Sequence, residues 1–249
     1  MDPISLFKET RFSNTIWWQL KTKVKGFQSD FSDNLVTEIL DNRSFRIVEK
    51  DLCAKKWEQK SRILVQLYED GYLCWVNKDE LKFERLINNQ TDEIICDELY
   101  IKSQIPLILK WIQDQSLVSN KYLWGGTVGP NYDCSGLIQT AFMKHHIFLP
   151  RDSYQIKNFC KEIINFPEDV HSLKMGDILF FSDQNECNHV AIYFEDGFYY
   201  HSSGKDNGRD GIGKDNVFNN NNVISSHYNS RLISAGRVTR SYKWNKTLR

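Results

Sequence analysis

Short apolar runs rich in β-forming residues dominate the first third of the chain. They lie at residues 45–48, 62–67 and 72–76, and an Asp70-Gly71 pair separates the last two. Asp-Gly between two such runs is typical of a hairpin turn. Because an isolated hairpin is unstable in water, this series of short strands predicts a small β-barrel.

The pattern changes to helical spacing near residue 96. Between Ile101 and Ile112 apolar residues recur on one face, and Pro106 is expected in the first turn of that helix, where its missing N–H is harmless. A second helix is predicted to begin at Cys134. Three strand-like runs follow, at residues 177–181, 189–194 and 198–201. Helices followed by consecutive hairpin strands predict an α+β second domain.

Composition places the chain among ordinary globular proteins. Of its 249 residues, 41% are hydrophobic and 26% are charged, which excludes an intrinsically disordered chain. Thirty-two basic residues balance thirty-two acidic ones, so no overall field favours nucleic acid or an anionic membrane as a partner. From His201 onward, nine Lys/Arg stand against three Asp. A basic end of this size is usually a solvated surface, and nucleic-acid binding is the less favoured alternative.

The start of the chain and its cysteines bear on the cellular compartment. Residues 1–5 lack a basic segment followed by an apolar run, and no stretch approaches the ~20 apolar residues of a membrane helix. None of the six cysteines forms a CxxC pair. We therefore expect a cytoplasmic protein with reduced thiols.

Cys134 is the candidate nucleophile. It follows a loop rich in Gly, Pro and Asn at residues 125–131 and precedes an apolar-periodic run, which places it at a helix start. Unpaired N–H groups and the helix dipole at that position favour a thiolate and predict a lowered thiol pKa. A buried structural cysteine is the alternative, and it is the commoner fate of a free cysteine.

His189 and His201 are the candidate partners of that cysteine. If Glu195, Asp196 and Gly197 form a three-residue hairpin loop with Gly197 at positive φ, both histidines lie on one face of the sheet. A two-residue Asp-Gly loop would instead place them on opposite faces. On one face, a nucleophile, a base and an orienting group form the arrangement used in cysteine acyl transfer.

A metal centre is the alternative use of the same residues. Cys187, His189 and His201 would supply three ligands, but a fourth is missing and the spacing fits no common zinc finger. We therefore expect neither a metal nor a cofactor. His171 and His227 have no partners in the sequence and are predicted to lie at the surface.

Five motifs follow one another along residues 121–204. They are YLWGG at 122–126, DCSG at 133–136, LPRDS at 149–153, GDILFF at 176–181 and HVAIY at 189–193. Their order resembles that of NlpC-type cell-wall peptidases, a papain-like family. Residues 67–76 resemble the bacterial SH3-like module that often accompanies this domain, with Cys74 where Gly-Trp is more usual. Together they resemble cyanobacterial γ-D-glutamyl-diamino acid endopeptidases, but the resemblance thins after Gly204 and leaves segment 205–222 unassigned.

The resemblance implies a fold and a set of catalytic roles. Residues 1–95 would form an SH3-like β-barrel domain with an N-terminal extension, and residues 96–249 a papain-like α+β cysteine peptidase domain. Cys134 would be the nucleophile, His189 the general base and acid, and His201 the group that orients His189. Backbone N–H groups at the helix start, aided by Tyr122, would stabilise the tetrahedral oxyanion.

The resemblance also implies a pocket for the free amino end of L-Ala-γ-D-Glu peptides. The positions that match this pocket are Tyr72, Tyr122, Trp124, Asp133, Ser135 and Ser153. Asp133 is expected to pair with the ammonium group, with helix N-capping as the alternative. Arg151 is expected to hold the D-Glu α-carboxylate, with a structural salt bridge as the alternative. Trp124 is equally consistent with core packing.

These observations are interpreted as a cytoplasmic cysteine endopeptidase acting on peptidoglycan-derived peptides, at the γ-D-glutamyl–diamino acid bond, in muropeptide recycling. The expected partner is the peptide, with neither nucleic acid nor membrane. One alternative is a papain-like amidase or acyltransferase acting on another amide. A second is a non-catalytic protein that only binds the muropeptide, although the intact set of Cys134, His189 and His201 argues against it.

Overall fold

The structure, a computed structural model, describes residues 17–48, 59–85, 96–165, 170–183 and 186–244. It divides into two compact units. Of the described residues, the first unit contains those up to residue 85 together with 243–244, and the second contains those from 96 to 242. The predicted N-terminal extension, Cys53 and the segment that leads to the predicted boundary at residue 95 lie outside the described residues.

Seven antiparallel strands form one sheet in the first unit. They are β1 (Trp18–Leu20), β2 (Val24–Phe27), β3 (Leu35–Ile39), β4 (Ser44–Ile47), β5 (Arg62–Leu67), β6 (Leu73–Asn77) and β7 (Phe83–Arg85). Their order in the sheet is β3-β2-β6-β5-β4-β1-β7. The two end strands do not pair with each other in the described residues, so no closed barrel is observed there, and the SH3-like class stays a prediction.

Alternation of apolar residues builds the core of this sheet. Ile63 in β5 opposes Val76 in β6, and Val65 opposes Cys74, with all four side chains buried. Because alternate residues of a strand share a face, these pairs form one continuous apolar surface. The Asp-Gly turn joins the two strands, which confirms the predicted hairpin.

Residues at the end of the described chain pack in the first unit. The indole N–H of Trp244 donates to the carbonyl of Tyr68 at 2.7 Å. The guanidinium of Arg46 lies 5.2 Å from the ring centre of Trp17 and 5.3 Å from that of Trp244, so one cation contacts two aromatic rings. The sequence division assigns residue 244 to the second domain, whereas the structure packs it in the first unit.

Helices and a six-stranded antiparallel sheet form the second unit. The helices are α1 (Glu98–Leu117), α2 (Cys134–Met143), α3 (Ser153–Phe159) and α4 (Val223–Asn229). The strands are β8 (Thr127–Val128), β9 (Asn131–Tyr132), β10 (Lys161–Asn165), β11 (Ile178–Phe181), β12 (His189–Tyr193), β13 (Phe198–Ser203), β14 (Gly211–Asn216) and β15 (Leu232–Arg237). The large sheet has the order β10-β15-β11-β12-β13-β14, and β8 pairs with β9 separately. The unit is thus a mixed helix-and-sheet structure, as predicted.

Pro106 does not lie in the first turn of its helix, as predicted, but further along it. Helix α1 begins at Glu98, where the Asp97 carboxylate accepts the N–H of Tyr100 at 2.8 Å, so Pro106 lies in the helix interior. A proline there removes one backbone hydrogen bond. Burial of the apolar face offsets this loss, because five side chains are buried: Ile101, Ile105, Ile108, Leu109 and Ile112. The cap, rather than the first apolar residue, determines where this helix begins.

Apolar residues cover both faces of the central strands. One face packs against helices α1 and α2 and includes Ile178, Phe180, Val190 and Ile192. The opposite face includes Leu179, Phe181, Ala191 and Tyr199 and packs against Tyr228 of α4. Strands β11 and β12 are therefore buried on both sides, which explains their nearly continuous apolar sequence. Among the described residues, no helix is long and apolar enough to span a membrane.

Replacing Ile108 by alanine should lower the free energy of unfolding by about 2–5 kcal/mol, because it leaves a cavity in the core of the second unit. Leu107 is the matched control, since it is the neighbouring residue of the same helix and is 54% exposed. Leu107→Ala should change the free energy of unfolding by less than about 1 kcal/mol. Urea titrations of the full chain measure both variants, and equal effects would contradict the packing described here.

Candidate active site

Strands β12 and β13 form the hairpin that carries both candidate histidines. Ile192 opposes Tyr200, and the N–H of Phe194 donates to the carbonyl of Phe198 at 2.8 Å, so three residues remain in the loop. Gly197, the last of them, has φ +82°, a conformation that glycine adopts without strain. The predicted loop length and its positive φ are confirmed.

His189 and His201 meet on one face of this hairpin. The Nε2 atom of His189 lies 2.8 Å from Nδ1 of His201, and the two rings are nearly perpendicular with centroids 5.0 Å apart. His201 is fully buried, whereas His189 retains part of its surface. The prediction that the two histidines share a face is confirmed. Because Nε2 of His189 is occupied, only Nδ1 remains to exchange a proton with another group.

Asp215 contacts the far side of His201 and is not among the residues predicted from the sequence. Its Oδ2 atom lies 2.8 Å from Nε2 of His201 and accepts a hydrogen bond from Arg209 at 2.6 Å. Its Oδ1 atom accepts the hydroxyl of Ser225 at 3.0 Å. The sequence gives only a weak indication of this residue. Gly211, Gly213 and Asp215 recur at every second position, as on one face of a strand, but they lie inside the unassigned segment 205–222.

Tyr228 of α4 covers the two histidine rings and was also missed. Its ring stacks on His189 at 4.6 Å and meets His201 edge-on at 4.6 Å. Its hydroxyl shares a 2.6 Å hydrogen bond with Ser203. The neighbouring His227, predicted to lie at the surface, is half-buried with its ring edge-on to Tyr228. Only tertiary packing brings this helix to the histidines, so no local pattern identifies it.

Cys134 is the first residue of α2, as predicted. Asp133 is the N-cap, and its carboxylate accepts the N–H of Gly136 at 2.6 Å. The backbone N–H groups of Val190 and Ser135 donate towards the Cys134 sulfur. Since Val190 directly follows His189, the thiol lies against the strand that carries the candidate base.

The thiol pKa is opposite in direction to the prediction. Burial raises the pKa of Cys134 to about 12, and the Asp133 carboxylate adds to this effect. The two backbone N–H groups and Arg151 lower it, but they do not offset burial. Burial also lowers the pKa of His189 well below its ordinary 6.5 and that of His201 below the same value. At neutral pH the site therefore holds a neutral thiol and neutral imidazoles.

Asp133 and Arg151 form a buried ion pair beneath the start of α2. Two guanidinium nitrogens of Arg151 donate to the two carboxylate oxygens of Asp133, at 2.6 and 3.2 Å, and one also donates to the hydroxyl of Ser135 at 2.8 Å. The carboxylate further accepts the N–H of Gly125 at 2.9 Å. Arg151 is only 2% exposed. The geometry favours the capping and salt-bridge alternatives, and the ligand roles of both residues stay predictions.

Tyr122 and Trp124 lie on the loop that precedes the cysteine. Tyr122 is half-buried, and burial followed by the nearby Cys134 raises the pKa of its hydroxyl. Its backbone N–H donates to Asp210 at 3.2 Å. Trp124 is 70% exposed, which excludes the core-packing alternative. An exposed aromatic ring two residues from Tyr122 is suited to contact a ligand.

Ser153 and Tyr72 complete the predicted set. Ser153 begins α3, and its hydroxyl donates to the carbonyl of Cys187 at 3.0 Å. Tyr72 belongs to the first unit and packs against that unit's core, so its role towards a substrate stays a prediction. The Cys187 thiol donates to the carbonyl of His189 at 3.4 Å. Within the part of the chain that the structure describes, no group of His, Cys, Asp or Glu is arranged to hold a metal ion.

Residues 119–237 match the sequence model of the NlpC/P60 family, and this segment contains the cysteine, both histidines and Asp215. The chain carries an NlpC/P60 domain. The resemblance stated from the five motifs is confirmed for this domain.

Two of the similar proteins have names that refer to gamma-glutamyl bonds. A region of 140 residues is 32% identical to a gamma-D-glutamyl-L-lysine dipeptidyl-peptidase of Bacillus cereus, covering 55% of this chain and 37% of the relative. A region of 97 residues is 39% identical to a gamma-DL-glutamyl hydrolase of Bacillus subtilis, covering 36% of this chain and 22% of the relative. The NlpC1 structure from Trichomonas vaginalis is 16% identical with a TM-score of 0.48, covering 92% of this chain and 95% of that one. The match spans less than half of either curated relative.

Protonation of the histidines should make stability depend on pH. Because burial holds the pKa of His189 well below 6.5, the unfolded chain binds a proton below that pH that the folded chain resists. The free energy of unfolding should therefore fall as pH decreases below about 6.5, by up to about 1.4 kcal/mol per pH unit for one such histidine. Above that pH this contribution should be constant.

Urea titrations between about pH 5 and pH 7.5 test this expectation. His189→Asn should make the dependence less steep, since it removes one resisting group while His201, whose pKa burial also lowers, remains. His171→Asn, which replaces an exposed histidine, is the matched control. The same slope in wild type and His189→Asn would show that His189 titrates normally in the folded protein.

Proposed function

We propose that the protein is a cysteine endopeptidase that hydrolyses the γ-D-glutamyl–diamino acid bond of peptidoglycan-derived peptides with a free N-terminal L-Ala. One observation carries this proposal. His189, on the strand against which the Cys134 thiol lies, has its Nε2 atom 2.8 Å from Nδ1 of His201. The NlpC/P60 domain supports a cysteine peptidase, and the relatives named for γ-glutamyl bonds support the substrate class.

The neutral resting site determines how the first step proceeds. The Cys134 sulfur attacks the γ-carbonyl carbon of D-Glu, and its proton passes to Nδ1 of His189 as the C–S bond forms. The proton transfer accompanies the attack because a thiol of such high pKa does not ionise beforehand. His201 accepts the N–H of His189 and holds the ring in place.

Breakdown of the tetrahedral intermediate releases the diamino acid. The C–N bond breaks, His189 returns its proton to the departing amine, and a thioester remains on Cys134. A water molecule then attacks the thioester carbonyl while His189 accepts one of its protons. The C–S bond breaks, the peptide leaves as the γ-carboxylic acid of D-Glu, and the proton returns to the sulfur.

The start of α2 supplies groups for the oxyanion of that intermediate. Backbone N–H groups in the first turn of a helix have no partners within the helix and carry the positive end of its dipole. The Cys134 N–H is one of these groups, and the Tyr122 hydroxyl is a neutral donor because its pKa is raised. Donors fixed before the reaction stabilise the developing charge without reorganisation.

The remaining residues singled out from the sequence are proposed to hold the peptide. Asp133 would receive its ammonium group, Arg151 would hold its D-Glu carboxylate, and Ser135, Ser153 and Trp124 would line the pocket. The ion pair of Asp133 with Arg151 would keep both groups in place for these contacts and would also fix the loop around the nucleophile. We further propose an SH3-like class for the first unit and a cytoplasmic role in muropeptide recycling.

Cys134→Ala should abolish turnover while the fold is retained, because no other group in the site supplies the nucleophile. The expected loss in kcat is more than about a thousandfold. Incubation with L-Ala-γ-D-Glu-diaminopimelate and mass analysis of the released L-Ala-γ-D-Glu measures it, with circular dichroism as the check on folding. Cys160→Ala, a second cysteine of the same unit, should keep wild-type activity.

Two outcomes would contradict the proposal. Hydrolysis by Cys134→Ala near the wild-type rate would eliminate Cys134 as the nucleophile. A wild-type protein that binds the peptide in calorimetry but releases no product would favour the non-catalytic binding protein instead.

Acetylation of the substrate's alanine should lower kcat/KM. The acetyl group removes the ammonium charge and one charge-assisted hydrogen bond, which is worth about 1.5–3 kcal/mol, or roughly tenfold to a hundredfold. The loss is not larger because Arg151 still pairs with Asp133, so no isolated buried carboxylate remains. Rates with free and N-acetylated L-Ala-γ-D-Glu-diaminopimelate give the comparison, and equal rates would show that the pocket is open at the amino end.

A further inference from the structure

Asp215 imposes a direction on the hydrogen bonds of the histidine pair. An ionised carboxylate only accepts hydrogen bonds, and Asp215 accepts from Arg209, Ser225 and His201. Although burial alone would raise its pKa, the hydrogen bond from His201, together with the charge of Arg209, holds the pKa of Asp215 below its ordinary value. The carboxylate is thus ionised at neutral pH, and Nε2 of His201 must carry the hydrogen that points at it.

The donor and acceptor roles of the bond between His201 and Asp215 also determine those of the bond between His201 and His189. A neutral His201 with its hydrogen on Nε2 has a bare lone pair on Nδ1, 2.8 Å from Nε2 of His189. His189 must then donate from Nε2, which leaves its own Nδ1 bare. That nitrogen is the atom able to accept the thiol proton. The opposite tautomer of His189 would present an N–H to the thiol and could not act as a base.

We propose that Asp215 is a positioning residue that acts through His201 to fix His189 in its base-competent tautomer. The proton-accepting unit is then a line of three groups, His189, His201 and Asp215, rather than two histidines alone. This inference rests on the proposed roles of Cys134 and His189 and extends them to the segment 205–222.

Arg209 keeps the line neutral. If the Asp215 charge were unopposed, His201 would tend to gain a second proton, and its Nδ1 would then donate to His189 and reverse the direction. Arg209 donates to the same carboxylate oxygen as His201 and opposes that second proton by its charge. The ion pair of Arg209 with Asp215 thereby holds the carboxylate in place and balances its charge.

Strand β14 is shaped for this arrangement. His201 pairs with Gly213 in the register of β13 and β14, and Asp215 pairs with Tyr199, so Asp215 is the diagonal neighbour of His201 on one face. A Cβ atom on Gly213 would collide with the Arg209 guanidinium. Because Gly213 has no side chain, the space opposite His201 stays open, and Arg209 reaches Asp215 through it.

The tautomers can be measured directly in the wild-type protein without substrate. With six histidines in the chain, ¹⁵N-labelled imidazole spectra at neutral pH report which ring nitrogen of each carries hydrogen. We expect His189 and His201 both to carry it on Nε2, with assignment from His189→Asn and His201→Asn. A wild-type His201 or His189 protonated on Nδ1 would overturn the proposal whether or not the peptidase activity is confirmed.

Variants at Asp215 test the effect on the base. Asp215→Ala should produce a second tautomer of His189 in the same spectra and lower kcat roughly tenfold to a hundredfold, with KM changed less than about threefold. Asp215→Asn should restore the tautomer and most of kcat, because Arg209 orients the amide oxygen towards His201. Asp206→Ala, an exposed aspartate of the same segment, should match wild type.

Two results would reject the role of Asp215. The first is an Asp215→Ala protein with wild-type kcat and wild-type histidine tautomers. The second is an Asp215→Asn protein as impaired in kcat as Asp215→Ala while its tautomers are those of wild type, since the tautomer would then not determine the rate. If every protein is inactive, the spectra alone still decide the proposal, and the failure belongs to the proposed function.

Discussion

Two hydrogen bonds, between His189 and His201 and between His201 and Asp215, constrain the arrangement of three strands and one helix. All three groups lie in or at the edge of the core, where an unpaired polar atom costs about 1–3 kcal/mol. Their distances of 2.8 Å are met in only one register of β12, β13 and β14. A shift of one residue would turn His201 to the opposite face and replace it with Tyr200 or Ser202. The three-residue loop at Gly197 is therefore a requirement of the site as well as a turn.

Helix α4 is tied to the same line at two points. Ser225 in its first turn donates to Asp215, and Tyr228 in its last turn stacks on His189. A helix of seven residues has little stability alone, so these contacts and the buried Tyr228 ring are what hold it in place. The region after Gly204, where the family motifs end, thus contributes directly to the environment of both histidines.

The features predicted from sequence are those with a local signal. The start of α2 follows from Asp133 as a cap, and the histidine hairpin from the loop that ends in Gly197. Pro106 was misplaced because apolar spacing does not show where a capped helix begins. Most of the strands in the first unit were missed, since β1, β2 and β7 have only three or four residues each and no clear alternation. Asp215 and Tyr228 depend on strand pairing and helix docking, which no local pattern encodes.

The thiol pKa shows why a local argument about Cys134 has the wrong sign. A helix start favours a thiolate, but the residues packed around the start of α2 also bury the Cys134 sulfur. Asp133 adds a negative charge beside it. The same effect acts on the other two described thiols near the sheet, since burial raises the pKa of Cys187 to about 11 and of Cys160 to about 12. At neutral pH all three are weak nucleophiles towards oxidants and stray electrophiles. Cys134 differs from the other two in lying at the start of α2, with the backbone N–H of Val190, next to His189, directed at its sulfur. In the proposed mechanism, selectivity among the thiols therefore comes from this placement beside the histidine strand and not from an acidic cysteine.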